Sequence, residues 1–387
     1  MNPEPLRILH LVMLRFWSAI AWHALSMAQA LEGRGHTCWI AGAKGSPILR
    51  EAERAHLAVE EELPLDWLRP WNWLATVSRL RGFLLRRRVD VVFVHTGSGH
   101  FEAHVARLGL PAALVRVRAD ARPPRGDISH RWLYRQATDQ IAVSSRRMME
   151  VDLAGWGIER DRLHHLPPGI DCEAIAADPE LRRECCRSRL GERYELPSDA
   201  RWIGIIGRLS PVKGHIDLIR ASAILSRRNI DWRLLVVGAE KEVSVAHLRS
   251  RAAALGVEER LVFTGHVEDP LVHAAALDVG VIPSLGSETV SRSALEFMAV
   301  AVPVVASRVG ILPEVIEAPE QLVPPGNPEA IADALTPLLN DAARAREAGW
   351  IGRARATKDY STPALGTRAE QVACWALRRR HGEGREG

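Results

Sequence analysis

Lysine is nearly missing from this sequence. The 387 residues hold Lys44, Lys213, Lys241 and Lys358 against 47 arginines, so a lysine in a glycine loop runs against the chain's own bias. Other absences exclude whole classes of protein. No run of about 18 uninterrupted apolar residues occurs, which predicts no membrane span. Five cysteines, with no Cys-x-x-Cys pair, read as free thiols in a reducing compartment, and the adjacent Cys185 and Cys186 read as coincidence. "HLVMLRFWSAIAWHA" lacks the glycines of a dinucleotide turn, which excludes a two-domain dehydrogenase. Large charge excess is absent too. The net charge is +4, and residues 1–171 carry 23 basic against 18 acidic side chains. That surplus is too small to argue for nucleic acid, although it suits an anionic surface or acceptor as well as ordinary solvated charge. There are no repeats and no low-complexity tract.

What is present alternates between strand and helix. "LRILHLVML", "HTCWIAG", "VDVVFVH", "AALVRVRAD", "QIAVS" and "RLHHLPPGID" read as strands, with helices "AIAWHALSMAQALEG" and "WLATVSRLRGFLLRR" among them. The N-terminal letters resemble a signal peptide in charge and apolarity. Arg15 and His23 interrupt the run, and a strand, a turn and a helix account for it better. The pattern degrades over "DPELRRECCRSRLGERYELPSDA" and then restarts. "WIGIIG", "WRLLVVG", "RLVFTG", "DVGVIPS" and "VPVVAS" are strands, each followed by a helical segment. Continuous apolar strands separated by helices predict parallel sheets covered on both faces. The expected organisation is an N-terminal domain over 1–171, a linker over 172–199, a C-terminal domain over 200–363, and a helix over 364–387 that packs back on the first domain and ends in a disordered "HGEGREG".

Ligands of open parallel sheets bind beyond the carboxyl ends of the strands, and the motifs follow strands here. After Gly207 a loop carries Arg208 and Lys213 into a helix. A guanidinium, an ammonium and a helix N-terminus suit a diphosphate, although a solvated loop with incidental charge accounts for the same letters. In "PSLGSETVSRSALEFMA", Glu288 precedes a helix start and Glu296 lies inside it. Each carboxylate could accept from a different vicinal diol, as in ribose or hexose recognition. A capping acid and a surface acid are the plainer alternative. Eight helical residues span about 12 Å, beyond the roughly 5–9.5 Å between the carboxyls of a glycosidase.

"GRLSPVKG", then a Glu-x7-Glu opening a helix about 75 residues later, then "PVVASRVG", together resemble glycosyltransferase family 4 (group 1). "LEGRGHTCWIAG", "QIAVSSRRMMEVDLAGWGIERDRLHHLPPGID", "LVFTGHVEDPLVHAAALDVGVIPS" and "LVPPGNPEAIADAL" extend that similarity over most of the chain. The resemblance implies a GT-B α/β fold, with two Rossmann-like parallel-sheet domains facing across a cleft. It implies a retaining transfer from a UDP-, GDP- or ADP-linked sugar to a cell-surface glycan or lipid-linked acceptor, such as lipopolysaccharide core or exopolysaccharide. It also implies a cytoplasmic location. By resemblance, Arg208 and Lys213 bind the donor diphosphate beside Gly207, Glu288 meets the sugar hydroxyls and Glu296 holds the ribose. Backbone at Thr289, Val290, Ser291 and Arg292 approaches sugar and phosphate, and the segment around His266 flanks the base. The family works without a bound metal or cofactor, and the chain contains no Asp-x-Asp. Two other readings stand: a GT-B epimerase or phosphorylase, and a non-catalytic nucleotide-sugar-binding protein.

The pattern departs in three places. Ser18-Ala19 stands where the family often has Gly-Gly. "VRVRADARPPRGD" lacks the family's histidine, leaving Arg118, Asp120 or His95 as substitutes. Ser291-Arg292 replaces a glycine and an apolar residue. The helix over 71–88, with Trp71, Trp73 and Arg79 to Arg88 and no acid, fits either a sheet-covering helix or an interfacial membrane helix. The oligomeric state is not legible.

Overall fold

The computed structural model describes residues 4–61, 70–120 and 126–382. The chain divides into two units, Met1–Gly169 with Thr362–Gly387, and Ile170–Ser361.

The first unit runs β1 (Arg7–Val12), α1 (Ala19–Glu32), β2 (Thr37–Gly42), α2 (Pro47–Arg54), β3 (Ala58–Glu60), α3 (Pro70–Arg87), β4 (Val91–Val94), α4 (His100–Ala106), β5 (Ala113–Arg118), α5 (Ile128–Arg135), β6 (Gln140–Val143) and β7 (Leu163–His165). The strands form one parallel sheet in the order β3-β2-β1-β4-β5-β6-β7. The letters that could pass for a signal peptide form β1, a loop and α1. Ala24, Leu25, Ala28 and Leu31 of α1 are buried, as their helical spacing requires. On the other sheet face α3 buries Leu80, Phe83 and Leu84 against Leu9, Val92 and Val94, while Arg79, Arg86, Arg87 and Arg88 are exposed. Burial of each such side chain is worth roughly 1.5–3 kcal/mol. Trp71, part of the membrane reading, lies outside the described side chains.

The second unit runs α6 (Cys172–Ala177), α7 (Arg183–Tyr194), β8 (Arg201–Ile206), α8 (His215–Arg227), β9 (Trp232–Val237), α9 (Val245–Ala253), β10 (Leu261–Gly265), α10 (Pro270–Ala275), β11 (Val279–Ile282), α11 (Arg292–Ala299), β12 (Val304–Ser307), α12 (Leu312–Val315), β13 (Leu322–Val323), α13 (Pro328–Asn340) and α14 (Ala342–Asp359). Its parallel sheet has the order β10-β9-β8-β11-β12-β13.

The segment 172–199, expected to be a linker, is instead folded into the second unit. Arg183 and Arg187 of α7 reach Asp278 at 2.7 and 3.1 Å, and the Trp202 amide donates to the same carboxylate at 2.7 Å. Arg187 also lies 4.2 Å from the centre of the Trp202 ring. Two arginines of this charge-rich stretch thus meet one buried acid. The last helix, α15 (Thr362–His381), belongs to the first unit and packs on α1. Glu370 holds it there, accepting from Arg34 at 2.5 Å and pairing with His36 at 2.9 Å. The end expected to be disordered lies, from residue 383 on, outside the described residues.

Candidate active site

In each sheet the strand order reverses at one place, between β1 and β4 in the first unit and between β8 and β11 in the second. Loops leaving the two central strands there diverge, and ligands bind in the crevice so formed. The second unit places its chemistry at this point.

After β8 the chain passes Gly207 and Arg208, makes a 3₁₀ turn over Pro211–Lys213, and enters α8 through Gly214 at φ 71°. After β11 it runs from Pro283 to the start of α11. The two loops are laced together, since the Leu285 amide donates to the Val212 carbonyl at 2.7 Å. A side chain at 214 would put its Cβ 1.9 Å from the Pro283 carbonyl oxygen, so only glycine permits the approach. The loop after β12 joins them: the Ile311 amide donates to the Glu288 carbonyl at 2.7 Å. Gly310, at φ 57°, would carry a Cβ 1.8 Å from that same oxygen.

This lacing brings Lys213 Nζ to 2.5 Å from Glu288 Oε1, across 75 residues of sequence. Ser284 donates to the same oxygen at 2.6 Å, and Glu288 is 2% exposed. His215 is buried beside this cluster. Burial first, then the Lys213 charge, lower its pKa to about 4, so it is neutral at neutral pH.

Glu296 is buried on α11 with its own cation, Arg292, whose Nε donates at 2.6 Å. Burial raises the Glu296 pKa and Arg292 opposes the rise. Ser291 caps α11 at φ 47°, a left-handed conformation that costs a non-glycine residue roughly 1–2 kcal/mol. Its buried Oγ has no hydrogen-bond partner among the described residues. Thr289 is half-buried and Val290 fully buried. Arg208 and His266 are exposed, and Arg208 makes no ion pair among the described residues.

Of the sequence candidates, then, the fold joins Lys213 to Glu288 and Arg292 to Glu296, and leaves Arg208 outside both pairs. The two carboxylates do not compete for one cation. Ser284, His215 and Gly310 were not singled out by the sequence. Gly310 lies three residues beyond the apolar strand β12 and closes the "PVVASRVG" stretch, but no role was read for it there.

The first-unit candidates are engaged locally. Ser18 caps α1, accepting from the Ala21 amide at 3.3 Å. His95 is fully buried, and its Nε2 lies 3.0 Å from His10 Nδ1. Arg118 donates to the Tyr134 hydroxyl at 3.2 Å, and Asp120 pairs with the buried Arg116 at 2.7 Å. Residues 121–125 of "VRVRADARPPRGD" lie outside the described residues.

Comparison with known proteins gives this geometry a family. "Glycosyl transferases group 1" matches residues 200–341 and "Glycosyltransferase Family 4" matches residues 20–174. A D-inositol 3-phosphate glycosyltransferase of Kineococcus radiotolerans is 31% identical over 322 residues, covering 75% of this chain and 70% of that protein. The chain belongs to glycosyltransferase family 4, group 1. The GDP-mannose-dependent alpha-(1-6)-phosphatidylinositol monomannoside mannosyltransferase of Mycolicibacterium smegmatis is 36% identical over 220 residues. That alignment takes in 54% of this chain and only 56% of that protein. The Anabaena protein HepE, solved in complex with UDP, superposes with a TM-score of 0.80 at 19% identity, over 95% of this chain and 100% of that one. The two Rossmann-like parallel sheets of this chain are those of the GT-B fold.

Proposed function

We propose that the chain transfers a sugar from a nucleotide-diphosphate sugar to a cell-surface glycan or lipid-linked acceptor, with retention of anomeric configuration. The observation that carries this reading is the Lys213–Glu288 pair at the β8/β11 switch point. In the proposed reaction Lys213 and Arg208 take up the charge that grows on the diphosphate as the glycosidic bond breaks, and the α11 amino end adds to it. Glu288 exchanges its ammonium partner for donor-sugar hydroxyls. Glu296 accepts from the ribose, and the unpartnered Ser291 hydroxyl donates to the donor. Two cations, Lys213 held by Glu288 and the exposed Arg208, supply the electrostatic role that a metal would fill, so no metal or cofactor is called for. The names of the relatives favour a GDP- or UDP-linked donor.

Donor hydrolysis against a panel of UDP-, GDP- and ADP-sugars tests the reading. Wild type should release free sugar from one donor, and Arg208→Ala should lose most of that release. Silence of both proteins while nucleotide binding persists would favour a binding protein. Return of an altered nucleotide sugar would favour an epimerase.

A specific observation supports peripheral membrane contact of the same enzyme at the cytoplasmic face. Leu74 on α3 is 69% exposed and Phe101 on α4 is 46% exposed, Phe101 stacking on Trp73 at 6.0 Å, with exposed Arg79 on the same helix. Exposed apolar side chains on a helix that also carries exposed arginine suit an anionic interface. Among the described residues no helix is long and apolar enough to cross a membrane. Flotation with anionic vesicles at low salt decides, absence of binding ending the membrane reading.

A further inference from the structure

A pocket of about 670 Å³ lies in the first unit at the amino ends of β6 and β7, the opposite end of those strands from the loops that carry Ser18 and His95. Its size suits a di- or trisaccharide. Its lining is mostly polar, with five arginines, and α15 forms one wall.

The floor is rigid. Arg162 is buried and donates to the backbone carbonyls of Tyr134, Arg135, Thr138 and Asp139, stapling the α5–β6 loop under β7. Two acids of the region are already engaged. Asp139 accepts from Arg107 at 2.5 Å and from the Leu114 amide at 2.6 Å. Asp161 lies 3.7 Å from Arg379, which also grips Glu159 at 2.5 Å. Three further arginines, Arg135, Arg160 and Arg378, are exposed and make no ion pair or hydrogen bond with their side chains among the described residues. Among the described residues the lining therefore holds five arginines against two acids, Asp139 and Asp161, and three of the arginines have no charged partner.

Beside them stands Trp375, 40% exposed, with His164 stacked on its ring at 4.5 Å and 23°. His164 is fixed in turn by Gln140 at 2.9 Å. A held indole with open surface, flanked by guanidiniums and side-chain amides, matches a pyranose that carries acid groups. In such a complex the C–H faces of the ring would pack on the indole, its hydroxyls would meet the exposed Gln136, and its carboxylate or phosphate would meet the arginines.

We propose that this pocket is a second binding site, for an anionic saccharide. It holds a chain bearing uronate or phosphate groups away from the strand ends where transfer takes place. A bilayer surface fits less well, because Trp375 is the only large apolar side chain in a concave, polar lining. A nucleic acid fits less well, because the chain as a whole carries only +4.

Calorimetry on the full chain with trigalacturonate tests the site, and maltotriose, tripolyphosphate, a hexathymidylate and phosphatidylglycerol vesicles serve as comparisons. Trigalacturonate should bind, and maltotriose should bind at least tenfold more weakly. The surface double variant Arg160→Ser/Arg378→Ser and, separately, Trp375→Ala should each weaken trigalacturonate at least tenfold. Donor hydrolysis should be unchanged in both, so failure of this site and failure of the donor site are read separately. The proposal is overturned if neither variant changes trigalacturonate affinity. Equal binding of tripolyphosphate, indifferent to Trp375→Ala, would mean a simple anion sink and would also overturn it. So would tighter binding of the oligonucleotide or of vesicles, lost in the arginine variant.

Discussion

Lys213 and Glu288 offer the sharpest test of the site. Glu288 is 2% exposed and Lys213 has 21% of its side chain exposed, with 2.5 Å between the charged atoms. Lys213→Met strands a buried carboxylate that still accepts from Ser284. Breaking a buried pair costs about 3–5 kcal/mol, and the partial exposure of the ammonium puts the expected loss near the lower figure, about 3 kcal/mol. Glu288→Gln keeps the shape and leaves the ammonium partly hydrated, so it should cost less, about 1–2 kcal/mol. The double variant should cost less than the sum, with a coupling of about 1–3 kcal/mol. Urea unfolding of the three variants, followed through a probe in the second unit, measures the cycle. Donor hydrolysis on the same proteins should fall about 10²–10³-fold for Lys213→Met, the scale of losing one preorganised charge at a reacting group. Additivity within about 0.5 kcal/mol would show that the two side chains do not interact. Undiminished hydrolysis by Lys213→Met would remove the ammonium from the chemistry.

Three further outcomes are expected. Gly310→Ala forces a Cβ onto the Glu288 carbonyl at a φ of 57°, and should destabilise the second unit by about 2–4 kcal/mol and weaken nucleotide binding, both read by thermal shift with and without the donor. Chelation by EDTA should leave donor turnover within about twofold, since Arg208 and Lys213 carry the charge role under the proposed mechanism; a tenfold loss restored by Mg²⁺ or Mn²⁺ would refute it. The first unit should weaken in mild acid. Burial lowers His10 to about 3 and His23 to about 4 from an ordinary 6.5, and holds His95 well below 6.5. Above pH 6.5 folded and unfolded chains are both neutral at these rings. Below it only the unfolded chain gains protons, so stability falls as pH falls until the folded values are reached. The loss is about 1.4 kcal/mol per ring at pH 5.5, or about 4 kcal/mol for the three. Equal urea midpoints at pH 7.5 and 5.5 would contradict it.

The sequence by itself determined the repeated strand-then-helix order and therefore two parallel sheets. Apolar runs such as "VVFV" and "VGVI" can be stable only when covered on both sides, and both strands are fully buried. It also marked Lys213 and Glu288 as unusual, through lysine scarcity and their places just after strands. What it could not give was the partnership between them, because a contact across 75 residues is set by which strands become neighbours. The order β8-β11, and not the chain order, put their loops side by side. The same cause misled the linker reading: Arg183 and Arg187 look solvated until β11 brings Asp278 beneath them. Ser18, His95 and Asp120 were plausible by position alone, and only folding showed that a helix cap, a second histidine and Arg116 already hold them. Local letters fix periodicity and the covering of faces; which charge meets which is a property of the assembled sheet.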